Sequence, residues 1–431
     1  MGTTIPWSAT APSHWSVQPT KRVFANPKTL NSTRSQTNVL SLTLRGVVNN
    51  DPENPEGLVP SDYATYQLFE RDDLVFKLID LENLRTSRVG HVHEDGIMSS
   101  AYVRLRRCVP GVTRYYYWQY YDLYARHVFN SLGGGVRSTL GARDLIELPL
   151  LSPPLTEQRA IADYLDSETA RIDALIDRKQ RFIDLLLEKR TALITHAVTK
   201  GLDPNAETKD SGIEFIGEVP RHWSVAPLYA RYDVTLGKML DAKRVTGEHL
   251  GPYLRNADVQ WDVVNVDGLD EMDFSLSDRV KFRLLPGDLL VCEGGEVGRT
   301  AMWRGELEEC FYQKAVHRLR PHRPDLDVPR FFYYLMRASA KSERFAVGSN
   351  VATIGHLTAT QLRHHRFGFP PIGEQRSIVE FLDRETGKID GLYDKTERSI
   401  ELLREYRTAL ISAAVTGQID IPGIDETEDV A

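Results

Sequence analysis

Cysteine is scarce: Cys108, Cys292 and Cys310 are the only three in 431 residues. Thiols so few and so irregularly spaced exclude a disulfide framework and a four-ligand zinc site, and they read as reduced, buried residues. Long apolar runs are missing as well. Nothing approaches the roughly 18 residues that a membrane-spanning helix requires, and Met1 to Thr10 carries neither the basic nor the apolar stretch of a secretory signal. No membrane association and a cytoplasmic location are therefore expected. A surplus of positive charge is the third absence. The 53 Lys and Arg stand against 60 Asp and Glu, a net charge of −7, which excludes coating nucleic acid by bulk charge but not reading it at chosen points. Asp420, Asp425, Glu426, Glu428 and Asp429 crowd the end of the chain, and residues 421–431 read as an acidic, disordered tail.

Motifs for catalysis are equally thin. Ser152-Pro153-Pro154-Leu155 resembles the amino-methyltransferase tetrapeptide but ends in leucine, where that chemistry needs an aromatic to stack on a flipped base. Gly294-Gly295-Glu296-Val297-Gly298 lacks dinucleotide-loop spacing and the ribose-binding acid, and no phosphate-binding Gly-rich loop ending in Lys-Ser/Thr exists. Asp288 and Glu293 suggest a nuclease carboxylate pair, yet Gly295 stands where such a metal site uses lysine. His91 with His93, and His364 with His365, have no ligand set around them at metal-binding spacing and read as surface or DNA-facing side chains. The chain alone is expected to be catalytically inactive.

What is present is a duplication. Pro153 to Asp203 aligns without a gap to Pro370 to Asp420, with 28 of 51 positions identical. A shorter anchor precedes each copy: Pro12-Ser13-His14-Trp15-Ser16-Val17 matches Pro220-Arg221-His222-Trp223-Ser224-Val225. The order is globule, helix, globule, helix. In the first copy Ile161, Leu165, Ile172, Leu175, Phe182, Leu186, Leu193 and Ala197 recur at three- and four-residue steps, and Ile378, Leu382, Ile389, Leu392, Leu403, Leu410 and Ala414 repeat the stripe. Glu168 and Glu385, then Lys179 and Thr396, interrupt it with polar groups able to set register. The proline pairs Pro153-Pro154 and Pro370-Pro371 stop the helices upstream, Thr156 is a candidate cap, and Gly417 a candidate terminator. A rod of about 45 residues is roughly 65 Å long and needs a partner for its seam. Its own duplicate is the nearest, as an antiparallel pair within one chain; pairing between chains is the alternative.

The globules read as mixed, with short strands at Asn38–Leu44, Asp73–Ile79 and Ala101–Arg106 in the first, and at Val259–Val266, Asp288–Cys292 and Ala315–Leu319 in the second. Each ends in an aromatic helix, Arg114-Tyr115-Tyr116-Tyr117-Trp118 or Arg330-Phe331-Phe332-Tyr333-Tyr334. Such a cluster either stacks on bases or forms the core that docks the helix on the sheet; helical spacing favours the core. The fold class is α+β: two α/β globules alternating with two long helices that pair as an antiparallel coiled coil.

The opening of each repeated helix (Pro153, Pro154, Glu157, Gln158, Arg159, Ile161; Pro370, Pro371, Glu374, Gln375, Arg376, Ile378) resembles the conserved regions of type I restriction-modification specificity subunits. So do the Ile-Asp-X-Leu stretches at Ile172 and Ile389, the Arg-Thr-Ala-Leu-Ile runs at Arg190 and Arg407, and Gly212 to Pro220 at the start of the second half; Ile5 to Trp7 departs from that pattern. The resemblance covers the whole chain. It implies that residues 1–152 and 204–369 are target-recognition domains reading the halves of a bipartite site in double-stranded DNA. It implies further that 153–203 and 370–420 are the conserved helices, acting as a ruler and docking two methyltransferase subunits, with restriction subunits in the full complex. No cofactor is expected on this chain; S-adenosylmethionine, ATP and Mg belong to the partners. Bases are read by a limited set of side chains displayed at strand ends and loops. Candidates are Lys77, Arg85, Arg88, Ser99 and Tyr102 in the first domain, and Lys238, Arg255, Asn256, Arg299, Gln313 and Lys314 in the second. The competing reading is a coiled-coil scaffold whose domains bind protein, which the negative net charge favours.

Overall fold

A computed structural model describes residues 11–51, 62–79, 81, 87–132, 140–213, 216–239, 247–341 and 356–422. Arg85, Ile5 to Trp7 and residues 423–431 of the tail lie outside these. Four helices organise the chain: α1 (Thr113–Ala125), α2 (Leu155–Lys200), α3 (Pro329–Lys341) and α4 (Ile372–Val415). Two compact units result, one of Met1–Gln180 with Glu397–Ala431, the other of Arg181–Thr396. The division cuts each long helix, so each unit holds a globule, the end of one long helix and the start of the other.

In unit 1 an antiparallel sheet runs in the order Phe24–Ala25, Val103–Arg107, Leu74–Phe76, Val89–His91. Ser16–Pro19 pairs antiparallel with Pro149–Ser152 and so closes the two ends of the globule at the foot of α2. Phe24, Leu74, Phe76 and Leu105 from the sheet bury against Tyr115, Tyr116, Trp118 and Tyr120 of α1, and the same core takes in Ile161 and Leu165 of α2 with Leu410, Ile411 and Ala414 of α4. A smaller core of Leu40, Leu42, Phe69, Val75 and Met98 lies under the hairpin Leu40–Thr43/Gly46–Asn49.

Unit 2 repeats the plan. Its sheet runs Tyr232–Leu236, Val316–Pro321, Leu289–Cys292, Thr300–Met302, all antiparallel, and Ser224–Pro227 pairs with Arg366–Phe369 at the foot of α4. Phe331 to Met336 of α3 join Ile194, Ala197 and Val198 of α2 and Ile378 and Leu382 of α4 in its main core. A second core, around Tyr253, Phe274, Phe311 and Tyr312, belongs to a three-stranded sheet of Glu271–Asp273, Leu250–Leu254 and Phe311–Tyr312. The strand expected over Val259–Val266 is instead a hairpin, Val259–Gln260 against Val263–Val264. Asp262 turns it with φ at 61°, a left-handed conformation that aspartate tolerates better than most residues.

The long helices pair antiparallel within the chain, and each unit holds one half of the pairing. Asp173 Oδ1 of α2 meets Arg407 Nε of α4 at 2.9 Å in unit 1; their duplicates, Asp390 of α4 and Arg190 of α2, meet at 3.0 Å in unit 2. The seam itself differs from the expected stripe. Leu175, Phe182 and Leu392 are 37%, 43% and 46% exposed, whereas Thr169, Ile183, Thr386 and Ile400 are buried; Thr396, expected as a polar seam position, is buried there. Counting in 3.5-residue steps from Leu165 brings Thr169, Ile172, Ile176, Lys179, Ile183 and Leu186 inward, and an apolar residue one position earlier faces water. The polar seam positions are therefore Thr169 and Thr386 rather than Glu168 and Glu385. A buried threonine is tolerated because its hydroxyl donates one turn back: Thr169 to Leu165 O at 2.6 Å, Thr386 to Leu382 O at 2.7 Å and Thr396 to Leu392 O at 2.7 Å. Thr156, the expected cap, is instead the second residue of α2. Gly417, at φ 69°, does end α4, its amide and that of Gln418 closing on Ala414 O and Ala413 O.

Candidate nucleic-acid interface

The duplicated Glu-Gln opening is a clamp between globule and helix. Trp15 Nε1 donates to Glu157 Oε2 at 2.8 Å, with His14 Nε2 2.9 Å from the other oxygen. Trp223 and His222 treat Glu374 identically, at 3.1 and 2.7 Å. The neighbouring glutamine points inward: Gln158 accepts from Val112 N at 2.9 Å and donates to Pro153 O at 2.9 Å. Gln375, with no exposure, accepts from Val328 N at 2.8 Å and donates to Pro370 O and Leu326 O at 2.9 and 3.0 Å. A third attachment escaped the sequence reading. Asp166 holds Arg114 (2.7 Å) and Trp118 Nε1 (2.8 Å), and its duplicate Asp383 holds Arg330 (2.9 Å) and the Tyr334 hydroxyl (2.5 Å). The signal was there: the dipeptides Leu165-Asp166 and Leu382-Asp383 are identical in the repeat. The aromatic helices are thus core and docking surface. Tyr115 to Trp118 are at most 8% exposed and Phe331 to Tyr334 at most 1%, so no base can stack on them.

The candidate readers of unit 2 fall into two groups. Lys238 and Gln313 bridge as isolated parallel partners, and Lys314 N donates to Lys238 O at 2.8 Å, which gathers all three at one edge. Lys314 is exposed and Gln313 half-buried, while the Lys238 ammonium is held by Asp278 at 2.8 Å. Partial burial opposes it, but hydrogen bonds from Lys238 and Ser275 keep the Asp278 carboxyl below its usual range. The second group braces a loop. Asn256 Nδ2 donates to Gly294 O (2.9 Å) and Arg299 Nη2 to Asn256 O (2.8 Å), while Arg255 is forked onto Asp258 and reaches Asp270 at 2.7 Å. These hydrogen bonds and charges raise the Arg255 guanidinium further above its ordinary value, the Asp258 hydrogen bond first.

In unit 1 Arg88 is 1% exposed, so in this conformation it cannot offer its guanidinium to DNA; its placement in the interior corrects its nomination as a displayed reader. Lys77, half-buried, extends the sheet through its amide to Arg88 O at 3.0 Å. Ser99 and Tyr102 form one turn, Tyr102 N to Ser99 O at 3.1 Å, and buried Gln67 fastens it by donating to both carbonyls at 3.2 and 2.6 Å. Tyr102 packs against the smaller core, and burial pushes its hydroxyl up.

The weak catalytic motifs have structural duties. Asp288, 1% exposed, takes Arg320 at 2.7 Å and the Leu285 amide at 2.7 Å. His93 lies between Asn49 (3.0 Å) and Glu94 (3.2 Å), and His364 Nδ1 is 2.8 Å from Thr360 O. Among the described residues no three His, Cys, Asp or Glu side chains converge as metal ligands, and no helix is long and apolar enough to cross a membrane. Burial raises the thiols of Cys292 and Cys310, the latter to about 12; Cys108, expected buried, is exposed.

The architecture defines a class: a duplicated chain in which two globules are clamped to an intramolecular antiparallel helix pair. Residues 252–401 match the family model of the type I restriction modification DNA specificity domain. A protein named as the type I restriction enzyme MjaX specificity subunit of Methanocaldococcus jannaschii is 24% identical over 206 residues, 47% of each chain. The EcoBI specificity subunit of Escherichia coli is 28% identical over 136 residues, 31% of this chain and 27% of that one. The chain thus matches about half or less of these relatives' own length. Among solved structures, a chain from a study of complex assembly and conformational transition of the type I R-M system superposes with a TM-score of 0.71 at 16% identity, covering 95% of this chain and all of the other. The HsdS subunit from Thermoanaerobacter tengcongensis gives 0.52 at 15% identity, covering 95% and 98%. The domain match and the curated relatives support similarity to type I restriction-modification specificity subunits, and the solved structures share the fold.

Proposed function

We propose that this chain is the non-catalytic DNA-recognition subunit of a type I restriction-modification complex in the cytoplasm. Residues 1–152 and 204–369 each read one half of a bipartite site, and the helices of 153–203 and 370–420 set the spacing and dock the methyltransferase. The observation that carries this reading is the duplicated clamp: Glu157 and Glu374, Gln158 and Gln375, Asp166 and Asp383 attach two divergent globules to the helix pair in the same way. Attachment is shared where the task is shared, and the globules differ where the bases differ. Two such readers would take half-sites about one turn of B-DNA, 34 Å, apart. Two methyltransferase subunits per chain follow from the duplicated helix surface. They carry S-adenosylmethionine, while the restriction subunits use ATP and Mg. The exposure of Lys314 and the partial exposure of Gln313, Lys77 and Ser99 favour these as contacts with DNA; Arg255, Asn256 and Arg299 position the loop Gly294 to Gly298.

An electrophoretic-shift assay with random-sequence duplexes, with and without co-expressed methyltransferase, tests this. Specific retardation that strengthens with the partner is expected, and no binding in either case would leave the scaffold reading. Exchanging Arg221–Arg366 for a relative's equivalent should change one half of the methylated motif. A change in both halves would overturn independent reading.

A further inference from the structure

The two copies of the helix junction are not alike. In unit 1 Arg407 lies 5.2 Å from the centre of the Tyr121 ring, donates to its hydroxyl at 3.0 Å and pairs with Asp173, so a tyrosine and an arginine meet at the junction. In unit 2 the counterpart of Arg407 is Arg190, and aligning Arg114 with Arg330 puts Arg337 where unit 1 has Tyr121. A cavity of about 470 Å³ opens here, with Arg190, Trp261, Arg330, Arg337, Asp383 and Tyr393 in its wall.

Three arginines and three aspartates line it, but the pairing is uneven. Arg330 pairs with Asp262 at 2.6 Å and Asp383 at 2.9 Å, and Arg190 with Asp390 at 3.0 Å. Among the described residues Arg337 has no carboxylate partner. Its Nη1 donates to the Tyr333 hydroxyl at 2.8 Å and its guanidinium sits 5.5 Å from the Trp261 ring centre. Trp261 is itself anchored, donating to Glu296 at 2.7 Å. A guanidinium has five donors in a planar fork, and one is engaged here; the group such a fork fits best is a planar carboxylate taken bidentately.

We propose that this slot receives an acidic side chain of a methyltransferase subunit, its carboxylate held by Arg337 between the aromatic walls of Trp261 and Tyr393. The proposal rests on the functional reading above and adds to it that the two partner copies dock on unequal surfaces. A DNA phosphate fits poorly, because a recess of this volume accepts a side chain but not the convex backbone of a duplex.

The test is methyltransferase binding by the full chain, wild type against Arg337→Tyr, which puts in place the tyrosine that unit 1 has at this position, and Arg337→Lys, which keeps the charge but not the fork. Titration of wild type should show two binding steps of unequal affinity. Losing one member of a buried, hydrogen-bonded charge pair weakens association by roughly thirty-fold or more, so Arg337→Tyr should weaken one step by that factor and leave the other unchanged, with Arg337→Lys between. Unchanged binding, or equal weakening of both steps, overturns the slot. So does a loss of DNA binding by the chain without its partner, which would mark Arg337 as a phosphate contact. If wild type binds no methyltransferase, the functional reading fails first and takes the slot with it.

Discussion

Replacing Gln375 by alanine removes one buried amide and strands two backbone groups, the Val328 amide and the Pro370 carbonyl; the Leu326 carbonyl loses one donor but keeps Arg231 Nη2 at 3.1 Å. Each buried polar group left without a partner costs about 1–3 kcal/mol, less where water enters the space vacated. These two groups at the lower figure, with the lost side-chain packing, give a destabilisation of unit 2 of about 2–4 kcal/mol. The isosteric change Gln375→Glu separates hydrogen bonding from packing. The new carboxylate still accepts from Val328 N but faces two carbonyl oxygens with nothing to donate. Burial and those oxygens raise its pKa in the folded state above an unfolded value of about 4.3. A group whose pKa rises on folding supports stability below its unfolded value and withdraws that support as pH climbs through the folded value. This variant should therefore be least stable at pH 7.5 and recover toward wild type near pH 5, by up to about 1.4 kcal/mol per pH unit over the gap. Hydrogen exchange at the Val328 amide and urea unfolding of the full chain measure both effects. Loss of less than about 0.5 kcal/mol in Gln375→Ala, or a Gln375→Glu variant as stable as wild type at pH 7.5, would refute the clamp.

Arg190→Asp and Asp390→Arg should each weaken the helix pair by only about 1 kcal/mol, because Asp390 is half exposed; the double exchange should recover most of this in a double-mutant cycle, and equal additive losses would show that no register pairing exists. His317, wholly buried with Nε2 2.8 Å from Leu357 O, has its pKa depressed by burial despite that hydrogen bond. The folded state then binds fewer protons than the unfolded one, so stability is complete above about pH 6.5 and declines below it, by up to about 1.4 kcal/mol per pH unit. Urea midpoints at pH 7.5 and 5.5 should differ less in His317→Gln than in wild type, and an equal difference in both would assign the acid sensitivity elsewhere.

The repeated architecture was legible in the amino acids because the clamp is local and duplicated. Glu157 and Gln158 lie at the first turn of their helix, a proline pair marks where it starts, and a second copy rules out coincidence. The helix periodicity was legible too, but not its phase: Leu175 and Phe182 are as apolar as Leu165 and Ile172, and only the partner helix turns Thr169 and Ile183 inward instead. The candidate readers were the least legible. Arg255, Lys238 and Arg88 look alike as isolated basic residues in strand-end or loop positions. Asp258 and Asp270 engage the first, Asp278 engages the second, and the interior of unit 1 encloses the third. The cavity beside Arg337 was wholly a tertiary outcome, since the tyrosine-to-arginine difference gains meaning only when Trp261, Arg190 and Asp390 arrive from distant parts of the chain. Local sequence determines which residues form a helix and where it begins. Burial and charge pairing depend on contacts distant in sequence, and those decide which side chains remain available to a partner.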